Sequence, residues 1–276
     1  MERVRPIVPP PGKLLRFGSY KLLVRPLEEF VFYASFIAGE YDPLEMRQGD
    51  VVLDAGANVG DFTIQASLKV GPKGIVIAVE PNPDLLPYLE YNLNSNDCRN
   101  VRIVPVALGT PGRATLVRTA DGGSVGTTLA EGGEGTNITV RSIREILDEL
   151  GVGVPNVIKM DIEGAEYAAL AGFPELGRVR AIAVELHGTP NLTSVPPLLS
   201  KSFEVRYETP KDVWRRTITH TLMHPLDLAM AEARSGFVAA RGLMSTISGR
   251  GNPVPSVERP DLRIIYGRNR GQISNA

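Results

Sequence analysis

Val51-Val52-Leu53-Asp54-Ala55-Gly56-Ala57-Asn58-Val59-Gly60 is the stretch that decides the fold. Its first half is a short apolar run of the kind that forms a parallel strand buried on both faces. Its second half is a glycine-containing turn, and a helical stretch from Phe62 to Val70 follows, closed by Gly71-Pro72. Glycines let the backbone turn sharply and leave room for a ligand to lie on it, while the helix N-terminus behind the turn presents free N–H groups. The plain alternative for such a turn is a tight strand–helix connection that binds nothing.

Outward from this unit the alternation continues. Gly74 to Glu80 is a second buried strand, and Leu86, Leu89 and Leu93 mark a helix with Pro87 in its first turn. Val101 to Val106 makes a third strand. Strand, helix, strand, helix, strand is the pattern of a doubly wound parallel sheet. Ala114 to Thr119 and Asn137 to Arg141 alternate around a loop rich in glycine from Gly122 to Gly135, which adds hairpin strands. Ser142 and Glu145 form a capping box for a helix whose buried stripe is Ile143, Ile146, Leu147 and Leu150, ended by Gly151. Val157 to Asp161 is a fourth core strand, Ala165 to Ala171 a short helix, and Ala181 to Leu186 a fifth strand. Phe203 to Tyr207 and Leu262 to Tyr266 complete a mostly parallel seven-stranded sheet with helices on both faces.

Ahead of this core, residues 1–49 read as an N-terminal arm and a lid helix. The arm runs through Pro11, a small hairpin broken by Gly18 spans Lys13 to Val24, and the helix covers Leu27 to Ala38. Residues 50–276 read as the main domain, with a helical insertion at about 209–258 before the last strand. Within the insertion, Leu226, Ala229, Met230, Ala233, Phe237, Ala240 and Met244 form an apolar stripe suited to a core or dimer contact, so a homodimer through the 226–244 helix is expected.

The 276 residues carry 30 Lys plus Arg against 31 Asp plus Glu, a formal net charge of −1. Near-neutrality gives no whole-chain reason to bind nucleic acid. The single cysteine, Cys98, excludes an internal disulfide and argues against a cysteine-based zinc site. No apolar run is long enough to cross a bilayer, and Met1 to Pro11 has no signal-peptide core, so a cytoplasmic protein is expected.

Spacing narrows the cofactor. A dinucleotide fingerprint is G-x-G-x-x-G, whereas Asp54 to Gly60 reads D-x-G-x-x-x-G with Asn58 inside it. That argues against NAD and for the shorter S-adenosylmethionine, which has no pyrophosphate. Glu80 ends the second strand, followed by Pro81, and an acidic side chain there is placed to accept hydrogen bonds from both ribose hydroxyls.

The segments VVLDAGANVGDFT, AVEPNP, NLNSN and IKMDIEGAE, with LLVRP and GEYDP upstream, resemble the successive motifs of the FkbM family of methyltransferases, from about Leu22 to His187. The resemblance implies a Rossmann-like class I methyltransferase fold and S-adenosylmethionine as cofactor. It implies that Asp54, Gly56, Ala57, Asn58 and Gly60 surround the methionine portion, that Glu80 and Pro81 hold the ribose, and that Ala107 and Leu108 lie beside the adenine. It also implies an oxygen acceptor on a sugar or other small metabolite.

Asp161 ends the fourth core strand, where an open α/β sheet has its ligand crevice, and so approaches both the cofactor and the methyl-transfer centre. Glu163 and Glu166 follow on the turn and helix behind it, where acidic groups also suit a helix dipole. Glu185 and His187 flank the end of the fifth strand. Removing a hydroxyl proton calls for a base, and His187 is the candidate by its ordinary pKa, the alternative being a structural hydrogen-bonder. Asp161, Glu185 and His187 could instead hold a divalent metal, but no metal requirement is expected. His220 and His224, four residues apart, lack an evident third ligand. A methyltransferase acting on RNA or protein is the enzyme rival, and no Asn-Pro-Pro-Tyr-like motif supports base methylation. The non-enzyme rival is an inactive cofactor-binding subunit that uses the apolar stripe to hold a partner.

Overall fold

The computed structural model describes residues 8–26, 28–118, 127–130, 135–226, 229–230 and 262–273. Its centre is a seven-stranded sheet in the order β12-β13-β11-β10-β3-β4-β5. The strands are β3 (Val51–Ala55), β4 (Ile75–Val79), β5 (Val101–Val104), β10 (Val157–Met160), β11 (Ala181–His187), β12 (Phe203–Tyr207) and β13 (Leu262–Asn269). All run the same way except β13, which is antiparallel to both neighbours. The expected architecture is therefore present.

Both faces are covered. Helix α2 (Asp61–Val70) packs Phe62, Ala66 and Val70 against Val52, Val76 and Val157 on one face. On the other, α4 (Ile143–Leu150), α5 (Glu166–Ala171) and α6 (Gly188–Ser200) enclose Leu53, Ile77, Ile158 and Ile182. The Ser142–Glu145 capping box forms, and Gly151 ends α4 in the left-handed conformation. Helix α3 (Leu86–Ser95) joins the α2 side and packs beneath a hairpin, β1 (Lys13–Phe17) with β2 (Tyr20–Val24).

Four local expectations change. The helix expected over Leu27 to Ala38 is α1 (Glu29–Phe32) continued by a π-helical turn, Tyr33–Ile37. Nearly every residue from Val31 to Tyr41 is buried, which a one-sided amphipathic helix does not allow. The third strand ends at Val104, because Pro105 cannot donate to a ladder, and Ala107–Leu108 becomes β6 in a second sheet. That sheet, β6-β9-β7-β8, contains β7 (Gly112–Arg118), β8 (Thr127–Ala130) and β9 (Thr136–Arg141), so that β6 and β8 are added to the two strands the alternation suggested. Helix α6 was obscured by Pro190, Pro196 and Pro197.

The insertion begins with α7 (Pro210–Met223), capped reciprocally by Thr209 and Asp212. Of the expected stripe, Leu226 and Met230 are 78% and 54% exposed; Ala233, Phe237, Ala240 and Met244 lie outside the described residues. A short C-terminal helix, α8 (Arg270–Ile273), follows β13. Among the described residues, no helix is long and apolar enough to cross a membrane.

Candidate active site

Strand order reverses direction between β3 and β10, so the turns after these two strands meet at the switch point where open α/β sheets bind ligands. The β3–α2 turn is left-handed at Gly56, Asn58 and Gly60, with φ of 78°, 50° and 92°. Gly56 N–H and Ala57 N–H both donate to the Val79 carbonyl, at 2.9 and 3.0 Å, which ties the turn to the end of β4. The Asp161 carbonyl approaches Gly56 so closely that a β-carbon there would stand 1.7 Å from it. Asn92, fully buried, donates to the carbonyls of Val59 and Leu23, so one amide from NLNSN holds the turn to the hairpin.

Glu80 is buried immediately after β4. Its two oxygens accept from Asn58 N–H at 2.8 Å and Asn82 N–H at 2.9 Å. Burial pushes this carboxyl up to about 7 against the pull of those two donors. Each oxygen keeps a lone pair for a ribose hydroxyl. Pro81 is half-buried beside it. Ala107 is buried in the second sheet with its backbone beside Val140.

Asp54, which the resemblance places beside the methionine portion, has no exposed surface and accepts from the Thr63 hydroxyl at 2.5 Å, with Lys159 Nζ at 3.4 Å. It ties the end of β3 to α2. Lys159, which the sequence reading passed over, is the cation under the site. Parallel pairing sets it beside Asp54, and its ammonium donates to the Gly56 carbonyl at 2.5 Å and lies 5.4 Å from the Tyr41 ring centre. Burial opposes its charge, but Asp54, Asp161, Asp61 and Glu185 hold its pKa above the usual lysine value. The signal was available: a lysine inside an apolar buried strand needs a partner.

The acidic groups converge on His187. Its Nδ1 lies 3.1 Å from Glu166 Oε1, and its Nε2 lies 3.4 Å from Glu163, 3.7 Å from Asp161 Oδ1 and 3.9 Å from Glu185. Glu163 reaches in from a left-handed residue, φ 55°. Glu166, fully buried, also accepts from Gly164 N–H at 2.9 Å, so its place in the first turn of α5 serves both the helix and the histidine. Asn191 clamps the group by donating to the carbonyls of Gly164 and His187. Burial disfavours the imidazolium, yet the Glu166 hydrogen bond and the charges of Asp161, Glu185 and Glu163 push His187 up to about 10. The expected base therefore stands among four carboxylates, with Nδ1 held by Glu166 and Nε2 turned towards the other three. Burial, then the charges of Asp161 and Glu40, raise Glu185 well above the carboxylate range.

The N-terminal segment packs against β13 and α7. The Tyr266 hydroxyl lies 2.7 Å from the Glu40 carbonyl oxygen and 2.8 Å from a Glu208 carboxylate oxygen, two acceptors that share its single proton. Burial, then the Glu208 and Asp161 charges, push Glu40 up to about 8. His220 contacts Asp42 and the Phe36 carbonyl, both at 2.9 Å, and the His224 ring centre lies 4.6 Å from that of Phe17, the planes tilted by 55°. These two histidines therefore fasten α7 to the N-terminal elements.

Three buried oxygens at the switch point, Asp54 Oδ1, Asn58 Oδ1 and Asp161 Oδ1, have no hydrogen-bond partner among the described residues. Buried polar atoms left unpaired are costly, and here they flank the turn that suits a nucleoside cofactor. The residues present fit S-adenosylmethionine.

The family model described as Methyltransferase FkbM domain matches residues 54–208, just over half of the chain. Hexuronic acid methyltransferase AglP of Haloferax volcanii is 27% identical over 174 residues, covering 60% of this chain and 70% of that protein. The 31-O-demethyl-FK506 methyltransferase FkbM of Streptomyces tacrolimicus is 28% identical over 179 residues, covering 52% and 68%. Among solved structures, a precorrin-6y C5,15-methyltransferase from Geobacter metallireducens is similar with a TM-score of 0.46 and 16% identity, covering 70% of this chain and 86% of that one.

Proposed function

Since this chain belongs to the FkbM methyltransferase family and takes S-adenosylmethionine as its cofactor, we propose that it methylates a hydroxyl oxygen of a sugar or similar hydroxylated metabolite. The observation that carries this reading is the contact between the Asp161 carbonyl and Gly56, which sets the His187 carboxylate cluster beside the cofactor turn. In this reading Gly56, Ala57, Asn58 and Gly60 cradle the methionine portion, and Glu80 takes the ribose hydroxyls. The bound cofactor supplies a methyl group activated on a sulfonium. Displacement from sulfur is in-line, so the chain must align the acceptor oxygen and accept its proton. Asp161, Glu185 and His187 are the groups at that point, and their surplus of carboxylates suits both tasks. The relatives named as a hexuronic acid methyltransferase and as a 31-O-demethyl-FK506 methyltransferase support an oxygen acceptor.

The test is to incubate the purified chain with methyl-labelled S-adenosylmethionine and a panel of uronic acids, neutral sugars and glycans, and to locate the label by mass spectrometry and NMR. A methyl ether is the expected product. Label on nitrogen or carbon would overturn the oxygen assignment, and absence of cofactor binding by calorimetry would overturn the reading as a whole.

A further inference from the structure

One oxygen of Asp161, one oxygen of Glu163 and a ring nitrogen of His187 lie within 4.8 Å of one another. Ligand atoms around one divalent cation stand roughly 3 to 5 Å apart, so little movement is needed to close on an ion. A second observation points the same way: the Asp161 Oδ1 atom, on a side chain 29% exposed, is itself buried with no hydrogen-bond partner among the described residues, and it faces the group at 3.7 Å from His187 Nε2. A third concerns the other ring nitrogen. Glu166, fully buried, sits 3.1 Å from Nδ1 and is fixed in turn by Gly164 N–H. A carboxylate on the far nitrogen sets the ring's tautomer and leaves Nε2 as the ligand atom.

We propose that Asp161, Glu163 and His187 form a divalent-cation site of the Mg²⁺ or Mn²⁺ class, adjoining the cofactor turn. Two carboxylate oxygens with a single imidazole favour a hard, oxygen-preferring ion over zinc. Glu185, whose carboxylate lies 3.9 Å from Nε2, is a fourth candidate oxygen. Binding displaces the Nε2 proton to solvent, and the remaining coordination positions take water or the acceptor hydroxyl, lowering that hydroxyl's pKa. This departs from the expectation that no metal is needed, and it deepens the proposed function while resting on it.

The experiment titrates the full chain, stripped with chelator, with Mn²⁺ alone, following free Mn²⁺ by electron paramagnetic resonance, and separately with S-adenosylmethionine by calorimetry. Saturable binding of one ion per chain is expected. Both His187→Ala and Glu163→Gln should weaken it by about 10-fold or more, and Glu166→Gln by roughly 10- to 100-fold, with cofactor affinity within about threefold of the parent as the check on folding. Glu163 is on a partly exposed turn, so its variant guards against loss of fold in the histidine variant. No saturable Mn²⁺ binding by the parent chain, or binding unchanged in Glu163→Gln and His187→Ala, overturns the site. If Mn²⁺ fails to bind while cofactor binds and oxygen is methylated, only this inference falls; if cofactor itself fails to bind, the proposed function falls.

Discussion

Gly56 and Asp161 leave no room for a side chain between them: a β-carbon on residue 56 would stand 1.7 Å from the Asp161 carbonyl oxygen. The contact joins the turn after β3 to the end of β10 and so, in the proposed function, sets the distance between cofactor and reacting groups. Gly56 also has φ of 78°, a conformation costly for any residue with a β-carbon. Gly56→Ala must therefore push one turn away from the other. Turnover should fall by about 100-fold or more, as misplacements near 1 Å do, with weaker cofactor binding and a lower melting temperature. Parent-like melting and calorimetry would contradict the closeness of this contact.

Glu80 gives a prediction with a definite pH sense. Its carboxyl, raised to about 7 by burial, accepts two backbone N–H groups, and the proposed ribose contact adds two hydroxyl donors. Such bonds favour the ionised form, so cofactor affinity should rise with pH up to about 7 and level off above it. Below that point binding should release a proton. Glu80→Gln should weaken binding by roughly 10- to 100-fold, the range for hydrogen bonds to a charged group. Calorimetry in buffers of different ionisation enthalpy checks both, and a pH-independent affinity would remove Glu80 from the ribose.

Much of this architecture is written locally. Buried parallel strands read as apolar runs, and Ser142 with Glu145 marks a helix start from four residues alone. Asp161, Glu185 and His187 could be placed at strand ends because strand ends are local. What pairs across the sheet could not be read. Lys159 stands beside Asp54 only because β10 runs parallel to β3 in one register, and Glu166 meets His187 only because β11 follows β10. Helix α6 was hidden by prolines that tertiary packing of Val195 and Leu199 overrides.

Lys159 and Asp54 form a buried pair, with exposures of 5% and 0% for their side chains. Removing one partner leaves the other as an uncompensated buried charge, so Lys159→Met should destabilise the fold by about 3–5 kcal/mol. Asp54→Asn in the same chain should return part of that loss. The turn should remain impaired in the double variant, since the donor to the Gly56 carbonyl is still missing. Urea unfolding of the two single variants and the double variant measures the coupling. Additive effects would show that the two charges act independently.

His220 and Asp42 supply the last prediction, because they fasten α7 to the N-terminal segment at 2.9 Å. The Asp42 hydrogen bond raises the His220 pKa, with half-burial working against it. For Asp42, burial works upward and is outweighed by the hydrogen bond and charge of His220, leaving its pKa lowered. A histidine with a raised pKa stabilises the fold fully below its ordinary value near 6.5 and ceases to as pH rises through the raised one. An aspartate with a lowered pKa stabilises above its ordinary value near 3.9 and ceases to as pH falls through the lowered one. The melting-temperature gap between the parent and His220→Gln should therefore be widest from about pH 4 to 6.5 and shrink towards alkaline pH. Asp42→Asn should show the same profile, and the double variant should add little to either. A gap that grows with pH would mean that His220 holds α7 as a neutral ring through the Phe36 carbonyl alone.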